Sequence, residues 1–176
     1  TLLTISEAIL IGKQKLKHIT NNYINETFWI LSNILNQDKT TLLLNKDNVI
    51  DKFLFNQYIN LINRRASNEP LQLILNSVSF YNYYFIPKKN VFIPRLETEL
   101  CIDLVKKYKS HFNSTLEVGC GIGCISITLS LQNLSSNITA IDTNPDAIEA
   151  SILNAKNFKC SNISFLKKNI FNFKIT

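Results

Sequence analysis

The sequence predicts an α/β protein in which a small helical bundle and a β-hairpin precede a doubly wound parallel sheet. Apolar residues recur at helical spacing up to about residue 65, a β-branched and aromatic segment follows, and helices alternate with strands after residue 95. A folded chain is expected because 45% of the 176 residues are hydrophobic and 18% are charged. We expect a helical domain over 1–72, a hairpin linker over 73–94 and the first half of a sheet domain over 95–176.

The helical domain is expected to begin at a capping box. Thr4-Ile5-Ser6-Glu7 places a hydroxyl and a carboxylate where each accepts a backbone N–H at the start of a helix. Further apolar stripes at helical spacing cover residues 24–35, with Trp29 adding to the core, and residues 50–62. Three helices of this size can bury one another's stripes, which predicts a bundle without visible chemistry.

A hairpin is expected between the bundle and the sheet. Residues 77–86 are rich in β-branched and aromatic side chains, and the apolar run resumes at Val91-Phe92-Ile93. Pro87-Lys88-Lys89-Asn90 lies between these runs and consists of turn-forming residues, so the turn is predicted there.

Helices and strands alternate in the second half of the chain. The predicted helices cover 97–109, 124–131 and 145–157, and the predicted strands cover 114–118, 137–141 and 163–166. Pro145 suits the first turn of the last helix, and Asp146 suits its positively polarised end. A strand, a glycine-rich turn, a helix and a second strand that ends in an acid are typical of the start of a doubly wound sheet.

The net charge of +6 arises from 19 Lys and Arg against 13 Asp and Glu. The chain has 24 Ile, 23 Asn and 16 Lys but 3 Arg, a bias towards AT-rich codons that explains the lysine excess without a function. Because the lysines are scattered, direct nucleic-acid binding is not expected. No apolar run approaches a membrane span and no signal peptide is recognisable, which favours a soluble cytoplasmic protein. We expect a monomer.

The four cysteines predict neither a metal site nor a disulfide framework. They form no C-x-x-C pair and have no histidine nearby, and they are Cys101, Cys120, Cys124 and Cys160. We expect reduced, partly buried thiols.

The segment Gly119-Cys120-Gly121-Ile122-Gly123 is the strongest candidate for a ligand site. It follows a predicted strand and opens a predicted helix, where glycines let the backbone turn tightly and approach a ligand. Asp142 ends the next strand, where a carboxylate can accept hydrogen bonds from both hydroxyls of a ribose. We therefore expect this segment and Asp142 to bind an adenosine-containing ligand.

The spacing of the motif favours S-adenosylmethionine over NAD. The dinucleotide fingerprint G-x-G-x-x-G would need a glycine where the chain has Cys124. Glu117 precedes the glycines, and an acid suits the ammonium group of S-adenosylmethionine better than it suits a diphosphate. A tight turn without a ligand is the remaining alternative.

Four segments carry a resemblance to a known family. They are Arg64-Arg65-Ala66-Ser67-Asn68-Glu69-Pro70, Phe92-Ile93-Pro94-Arg95-Leu96-Glu97-Thr98-Glu99, residues 116–123 and Ala140-Ile141-Asp142-Thr143-Asn144-Pro145-Asp146-Ala147. In these segments the chain resembles bacterial release-factor glutamine methyltransferases, class I enzymes that methylate N5 of the glutamine in the Gly-Gly-Gln loop of peptide-chain release factors. The resemblance implies a Rossmann-like sheet, S-adenosylmethionine as cofactor, release factors as protein substrates and substrate recognition by the helical domain.

The resemblance also implies roles for single residues. Residues 119–123 would wrap the methionine and ribose side of the cofactor, and Asp142 would hold the ribose. Asn169 and Ile170 would lie against the adenine; Asn169 replaces an acid of the family, so its contact lacks charge assistance. Leu96 stands where the family has a proline.

The catalytic signature of the family, Asn-Pro-Pro-Tyr, does not occur in the 176 residues, so no catalytic residue is assigned. The resemblance places Arg95, Glu97 and Glu99 near the cofactor without a defined role. We expect the sheet to stop after its third strand, which leaves the first strand as a free edge, apolar on both faces. The alternatives are an inactive remnant or cofactor-binding fragment and, less favoured, a ribosomal-protein glutamine or nucleic-acid adenine methyltransferase.

Overall fold

The computed structural model describes residues 3–173 of the chain. The chain divides into two compact units, Thr1–Leu75 and Asn76–Thr176. The first unit is helical, and the second contains a two-stranded and a three-stranded sheet. Each unit has its own cluster of buried hydrophobic side chains.

Five helices form the first unit. They are α1 (Ile5–Leu16), α2 (Tyr23–Leu35), α3 (Lys39–Leu44), α4 (Lys52–Ala66) and α5 (Leu71–Leu75). The predicted capping box is confirmed, since the Glu7 amide donates to the Thr4 hydroxyl over 3.2 Å and the Thr4 amide donates to the Glu7 carboxylate over 2.8 Å. Both bonds satisfy amides that the helix itself leaves free.

The helices α1 and α4 pack closely because one position carries no side chain. The Tyr58 side chain is fully buried, and its hydroxyl donates to the backbone oxygen of Ala8 over 3.0 Å. A Cβ at Gly12 would lie 2.1 Å from that hydroxyl oxygen, so only glycine admits this approach.

Trp29 does not belong to the core, and its predicted place there is wrong. Its exposed fraction is 48%, whereas Thr27 and Leu31 are fully buried. Two positions along a helix correspond to a rotation of about 200°, so Trp29 faces away from both of these residues.

Two arginines at the end of α4 make contrasting ion pairs. Arg65 Nε donates to Glu26 Oε2 over 2.6 Å, and both side chains are largely buried. Arg64 makes a two-point contact with Glu69, at 2.8 and 2.5 Å, and both of these side chains are more exposed. The Arg65 pair ties α2 to α4 inside the bundle, whereas the Arg64 pair fixes the turn that follows α4.

The hairpin consists of β1 (Val78–Phe80) and β2 (Tyr83–Phe85). Its turn is Tyr81-Asn82, where both residues have positive φ, 50° and 64°. Positive φ at both central residues is the geometry that matches the twist of a two-residue hairpin. The turn predicted at Pro87-Lys88-Lys89-Asn90 is therefore misplaced; that segment follows the hairpin. A tyrosine gives no sequence signal for left-handed backbone, which hid the true turn.

Alternating helices and strands complete the second unit. A 3-10 turn (Leu96–Glu99) leads into α6 (Leu100–Tyr108), followed by β3 (Phe112–Val118), α7 (Cys124–Leu131), β4 (Ser135–Asp142), α8 (Pro145–Asn157), β5 (Ile163–Lys167) and a 3-10 turn (Ile170–Asn172). The sheet is parallel, with the order β3-β4-β5, and Val118 pairs with Ile141. This arrangement confirms the predicted α/β fold with a doubly wound, Rossmann-like sheet.

The strand β3 pairs with β4 alone among residues 3–173. It is not apolar on both faces as predicted, because Asn113 and Ser114 are polar and exposed and its only buried side chain is Glu117. Val118, at the end of the strand, is 54% exposed. The sheet therefore presents a partly polar edge.

No helix in the described part of the chain is long and apolar enough to cross a membrane. Within residues 3–173 there is also no group of three or more side chains suited to hold a metal ion. All four cysteines are free thiols.

Candidate cofactor site

The glycine turn joins β3 to α7 and is held against the end of β4. The amides of Gly119 and Cys120 both donate to the backbone oxygen of Ile141, over 2.8 and 3.1 Å. Gly119, Gly121 and Gly123 have φ values of 78°, 54° and 85°. Side chains are strained at such angles, so the path of the turn explains why glycine occupies alternate positions.

The two outer glycines differ in what surrounds them. A Cβ at Gly119 would meet no atom within 4 Å, so the backbone there faces open space. A Cβ at Gly123 would lie 3.0 Å from the side chains of both Ile127 and Ser151. Gly119 thus leaves room for a ligand, whereas Gly123 lets α7 and α8 pack closely.

Asp142 at the end of β4 braces the turn. Its Oδ2 accepts the amide of Gly121 over 3.0 Å, and its Oδ1 accepts the amide of Asn144 over 2.9 Å. A carboxylate oxygen can accept more than one hydrogen bond, and Asp142 is only half-buried. It can therefore hold the turn and still accept from the hydroxyls of a ribose.

Glu117 lies in β3, two residues before the first glycine, and is 9% exposed. Its Oε2 accepts both the amide of Ser126, over 3.0 Å, and the Ser126 hydroxyl in a very short contact. Burial raises the pKa of Glu117 to about 7, which the nearby charge of Asp142 reinforces and the Ser126 hydrogen bonds oppose. Near neutral pH this carboxyl can therefore gain or lose a proton.

A cavity of about 510 Å³ brings these groups together. Of the residues predicted to bind a ligand, Gly119, Cys120, Gly121, Ile122 and Asp142 line it, and Glu117 does so as well. Because Gly123 faces α8, it is not in the wall.

Asn169 and Ile170 do not line this cavity either. The Asn169 side chain accepts the amide of Phe171 over 3.0 Å and so starts the last 3-10 turn. Ile170 is 36% exposed. Their contact with an adenine stays a prediction.

The segment 90–98 forms one wall of the cavity, which motif spacing did not indicate. Asn90, Phe92 and Thr98 all line it, and the oxygen of Phe92 would lie 3.7 Å from a Cβ at Gly121. Asn144 fastens this segment, because its side-chain amide donates to the backbone oxygen of Asn90 over 2.9 Å. The family resemblance did place the neighbouring residues Arg95, Glu97 and Glu99 near the cofactor, but it assigned no role to Asn90, Phe92 or Thr98.

The charged residues of the neighbouring Arg95–Glu99 stretch have structural contacts or face solvent. Glu99 accepts the amide of Tyr81 over 3.0 Å and so joins the hairpin turn to the start of α6. Arg95 and Glu97 are exposed, as is Leu96 at 78%.

Asn154 on α8 connects the hairpin to the glycine turn. Its side-chain NH₂ donates to the backbone oxygens of Ile86 and Ile122, both over 3.0 Å, and its oxygen accepts the amide of Ile86 over 2.8 Å. Asn154 is buried, and burial of an amide side chain without hydrogen-bond partners would be unfavourable; these three bonds supply the partners.

The thiols of the site are poor nucleophiles. Burial, with the charge of Glu117 nearby, raises the pKa of Cys120 to about 12 and raises the pKa of Cys124 as well. The thiolate is the reactive form, so neither residue is a candidate for covalent catalysis.

Two family models match the chain. The PrmC N-terminal domain matches residues 7–75, and a methyltransferase domain matches residues 110–176. A release factor glutamine methyltransferase from Leptospira interrogans is 32% identical over 179 residues, which cover 97% of this chain and 60% of the relative. The chain thus contains a region similar to a PrmC N-terminal domain followed by a region similar to a methyltransferase domain, and it resembles release factor glutamine methyltransferases over most of its length.

Another release factor glutamine methyltransferase and a related protein match over smaller shares of this chain and of their own lengths. The protein from Geobacter sulfurreducens is 32% identical over 74% of this chain and 46% of its own length. A bifunctional methyltransferase from Rickettsia bellii is 33% identical over 82% of this chain and 31% of its own length. The chain thus spans between about a third and three fifths of these relatives.

Among solved structures, coclaurine N-methyltransferase bound to N-methylheliamine and S-adenosylhomocysteine covers 98% of this chain and 49% of its own. The TM-score is 0.40 and the sequence identity is 13%.

Proposed function

We propose that this chain forms the cofactor-binding part of an enzyme that transfers a methyl group from S-adenosylmethionine to N5 of the glutamine in the Gly-Gly-Gln loop of release factors. Such a modification would support translation termination. The observation that carries the proposal is the cavity, where the open side of Gly119 meets the carboxylate of Asp142. The similarity to release factor glutamine methyltransferases supplies the reaction and the protein substrate of this proposal.

The charges of the site favour S-adenosylmethionine over a dinucleotide. Glu117 and Asp142 both line the cavity, and the structure places no Lys or Arg among its described lining residues. Two acids disfavour a diphosphate and suit a ligand that carries an ammonium and a sulfonium. When bound, the cofactor supplies an activated methyl group; Asp142 would hold its ribose, and the glycine turn would accommodate its amino-acid side.

Asn169 and Ile170 are proposed as adenine contacts. Both follow β5, whose neighbour β4 ends at Asp142, so they leave the sheet at the same edge as the ribose site. An amide oxygen can accept from the exocyclic amine of adenine, and an isoleucine can pack on the ring.

No catalytic residue is proposed within this chain, because the signature Asn-Pro-Pro-Tyr is absent from its 176 residues. The helical first unit is proposed to recognise the release factor. A second candidate function is a cofactor-binding fragment that transfers no methyl group, since the cavity at Gly119 and Asp142 supports cofactor binding alone.

Two measurements on the chain test the proposal. Calorimetry with S-adenosylhomocysteine should give one binding site per chain. Incubation with radiolabelled S-adenosylmethionine and a release factor then distinguishes the two candidate functions: methyl transfer would label the native factor and spare a control whose Gly-Gly-Gln glutamine is replaced by alanine. Binding without labelling would favour the cofactor-binding fragment, and absence of binding would contradict both candidates.

A further inference from the structure

Glu117 is the only buried acid among the described residues of the second unit. Both donors of Ser126, its amide and its hydroxyl, converge on Oε2. The other oxygen, Oε1, has no donor within residues 3–173, although the residue lines the cavity. Oε1 is therefore accessible from the cavity rather than enclosed, and a hydrogen-bond donor of a ligand can reach it.

The groups around Glu117 do not supply a positive charge. Asp142 acts on it from the end of β4 and is itself acidic. The titratable neighbours in the turn and at the start of α7 are Cys120 and Cys124, and Glu99 adds a further negative charge near Cys124. A cation at this place must therefore come with the ligand.

We propose that Ser126 is a positioning residue, which holds one oxygen of Glu117 and leaves the other to accept the cationic amino group at the amino-acid end of the cofactor. The proposal rests on the function proposed above. The proposal also explains how the site would distinguish ligands. A nucleoside that lacks the amino-acid end has no amino group to contact Glu117, so Ser126 and Glu117 would not strengthen its binding.

A proton exchange follows from the same geometry. Because burial raises the pKa of Glu117 to about 7, part of the carboxyl is protonated in the empty site at neutral pH. An ammonium at Oε1 stabilises the carboxylate, so the acid loses its proton to solvent as the ligand binds. Binding is therefore expected to tighten as the pH rises through 7.

Glu117 also has a purely structural task that the test must separate. The N-cap of α7 is Gly123, which has no side chain, and Glu117 accepts the free amide of Ser126 in its place. The amide alone serves this cap, whereas the hydroxyl of Ser126 adds a second donor on the same oxygen. A capping role would affect every ligand of the site equally.

The test compares S-adenosylhomocysteine with 5′-methylthioadenosine, which keeps the nucleoside and lacks the amino-acid end. Calorimetry of the native chain should show S-adenosylhomocysteine binding about tenfold tighter at about pH 8 than at about pH 6, with proton release detected in buffers of different ionisation enthalpy. The affinity for methylthioadenosine should not change over this range.

Ser126→Ala should lower the affinity for S-adenosylhomocysteine by about threefold to tenfold and raise the pH at which this affinity changes. The affinity for methylthioadenosine should stay within about twofold of the native value. Thr128→Val is the matched control, because Thr128 is a buried hydroxyl on the same helix without a hydrogen-bond partner; both ligands should bind it normally. Glu117→Gln should bind S-adenosylhomocysteine weakly at every pH, which keeps the test informative if Ser126→Ala fails to fold.

An equal effect of Ser126→Ala on both ligands, or a flat pH profile of the native chain, would overturn the positioning role while leaving the proposed function intact. If the native chain bound neither ligand, the proposed function itself would fail, and this inference with it.

Discussion

Gly119 and Gly123 share a left-handed backbone but face different surroundings. At Gly119 the missing side chain opens a cavity, and at Gly123 it lets Ser151 and Ile127 approach to contact distance. The same residue type in one turn therefore serves binding at one end and packing at the other.

Substitution of these two glycines by alanine should separate the two roles. Gly123→Ala should lower the free energy of unfolding by about 2–5 kcal/mol, from backbone strain and from overpacking against Ser151. Gly119→Ala should cost about 1–2 kcal/mol, from strain alone, yet weaken S-adenosylhomocysteine binding more. Urea unfolding and calorimetry measure the two effects, and equal stability losses would contradict this assignment.

Asp142 combines a structural and a binding role in one carboxylate. Asp142→Ala should weaken the binding of S-adenosylhomocysteine by about 1.5–3 kcal/mol, because charged hydrogen bonds to the ribose are lost. Asp146→Ala is the control: that acid lies nearby on α8 and pairs with Lys88, and its loss should leave affinity unchanged. Unchanged affinity in Asp142→Ala, measured by calorimetry, would refute the ribose role.

The glycine turn and Asp142 could be predicted as binding residues because their role depends on spacing along the sequence. The glycine turn and Asp142 follow the ends of adjacent strands, which a sequence pattern reveals. The wall formed by Phe92 and Thr98 depends on how a loop folds back, so spacing alone gives no access to it. The buried state of Glu117 likewise depends on α7 packing above it.

At the scale of elements, two adjacent arginines at the end of α4 have different environments. Arg65 pairs with Glu26 inside the bundle, with side chains 15% and 8% exposed, and Arg64 pairs with Glu69 at 41% and 31%. Only the first pair leaves an uncompensated buried charge when one partner is removed.

Arg65→Ala should therefore lower the free energy of unfolding by about 3–5 kcal/mol. Arg64→Ala, one position earlier on the same helix, should cost no more than about 1 kcal/mol because its pair is solvated. Urea unfolding followed by circular dichroism measures both. Similar losses in the two variants would show that burial of the Arg65 pair does not decide its strength.

Asparagine replaces glycine at many turns of this chain. The sequence has four glycines, and six of the eight other residues with positive φ in the described part of the chain are asparagines: Asn36, Asn68, Asn76, Asn82, Asn90 and Asn133. Asparagine tolerates this region better than other side chains do. The boundaries of the helix 145–157 could be predicted from its capping residues. The Tyr81-Asn82 turn could not be predicted, because the chain contains many asparagines and most of them do not lie in turns.

At the scale of the whole chain, the two units have separate buried clusters, and the only tryptophan, Trp29, lies in the first. Tryptophan fluorescence thus reports on the first unit, while the proposed ligand site belongs entirely to the second. The hairpin, predicted as a linker, contributes Phe80 and Phe85 to the core of the second unit.

Unfolding should accordingly occur in two steps that respond to different changes. S-adenosylhomocysteine at about a hundred times its Kd should stabilise the second unit by about 2.7 kcal/mol and leave the fluorescence transition unmoved. Arg65→Ala should shift the fluorescence transition to lower urea. A single transition, moved equally by ligand and substitution, would contradict independent units.

Asn154 has a consequence for how this gene can change. Asparagine codons lie one base change from codons for lysine, isoleucine and aspartate, so a single mutation can exchange any of the 23 asparagines for one of these residues. At position 154 none of the three retains both a donor and an acceptor at the same reach, and its bonds to Ile86 and Ile122 need both. Selection should therefore retain asparagine at position 154, and comparison of gene copies from closely related genomes should show it unchanged where other asparagines vary.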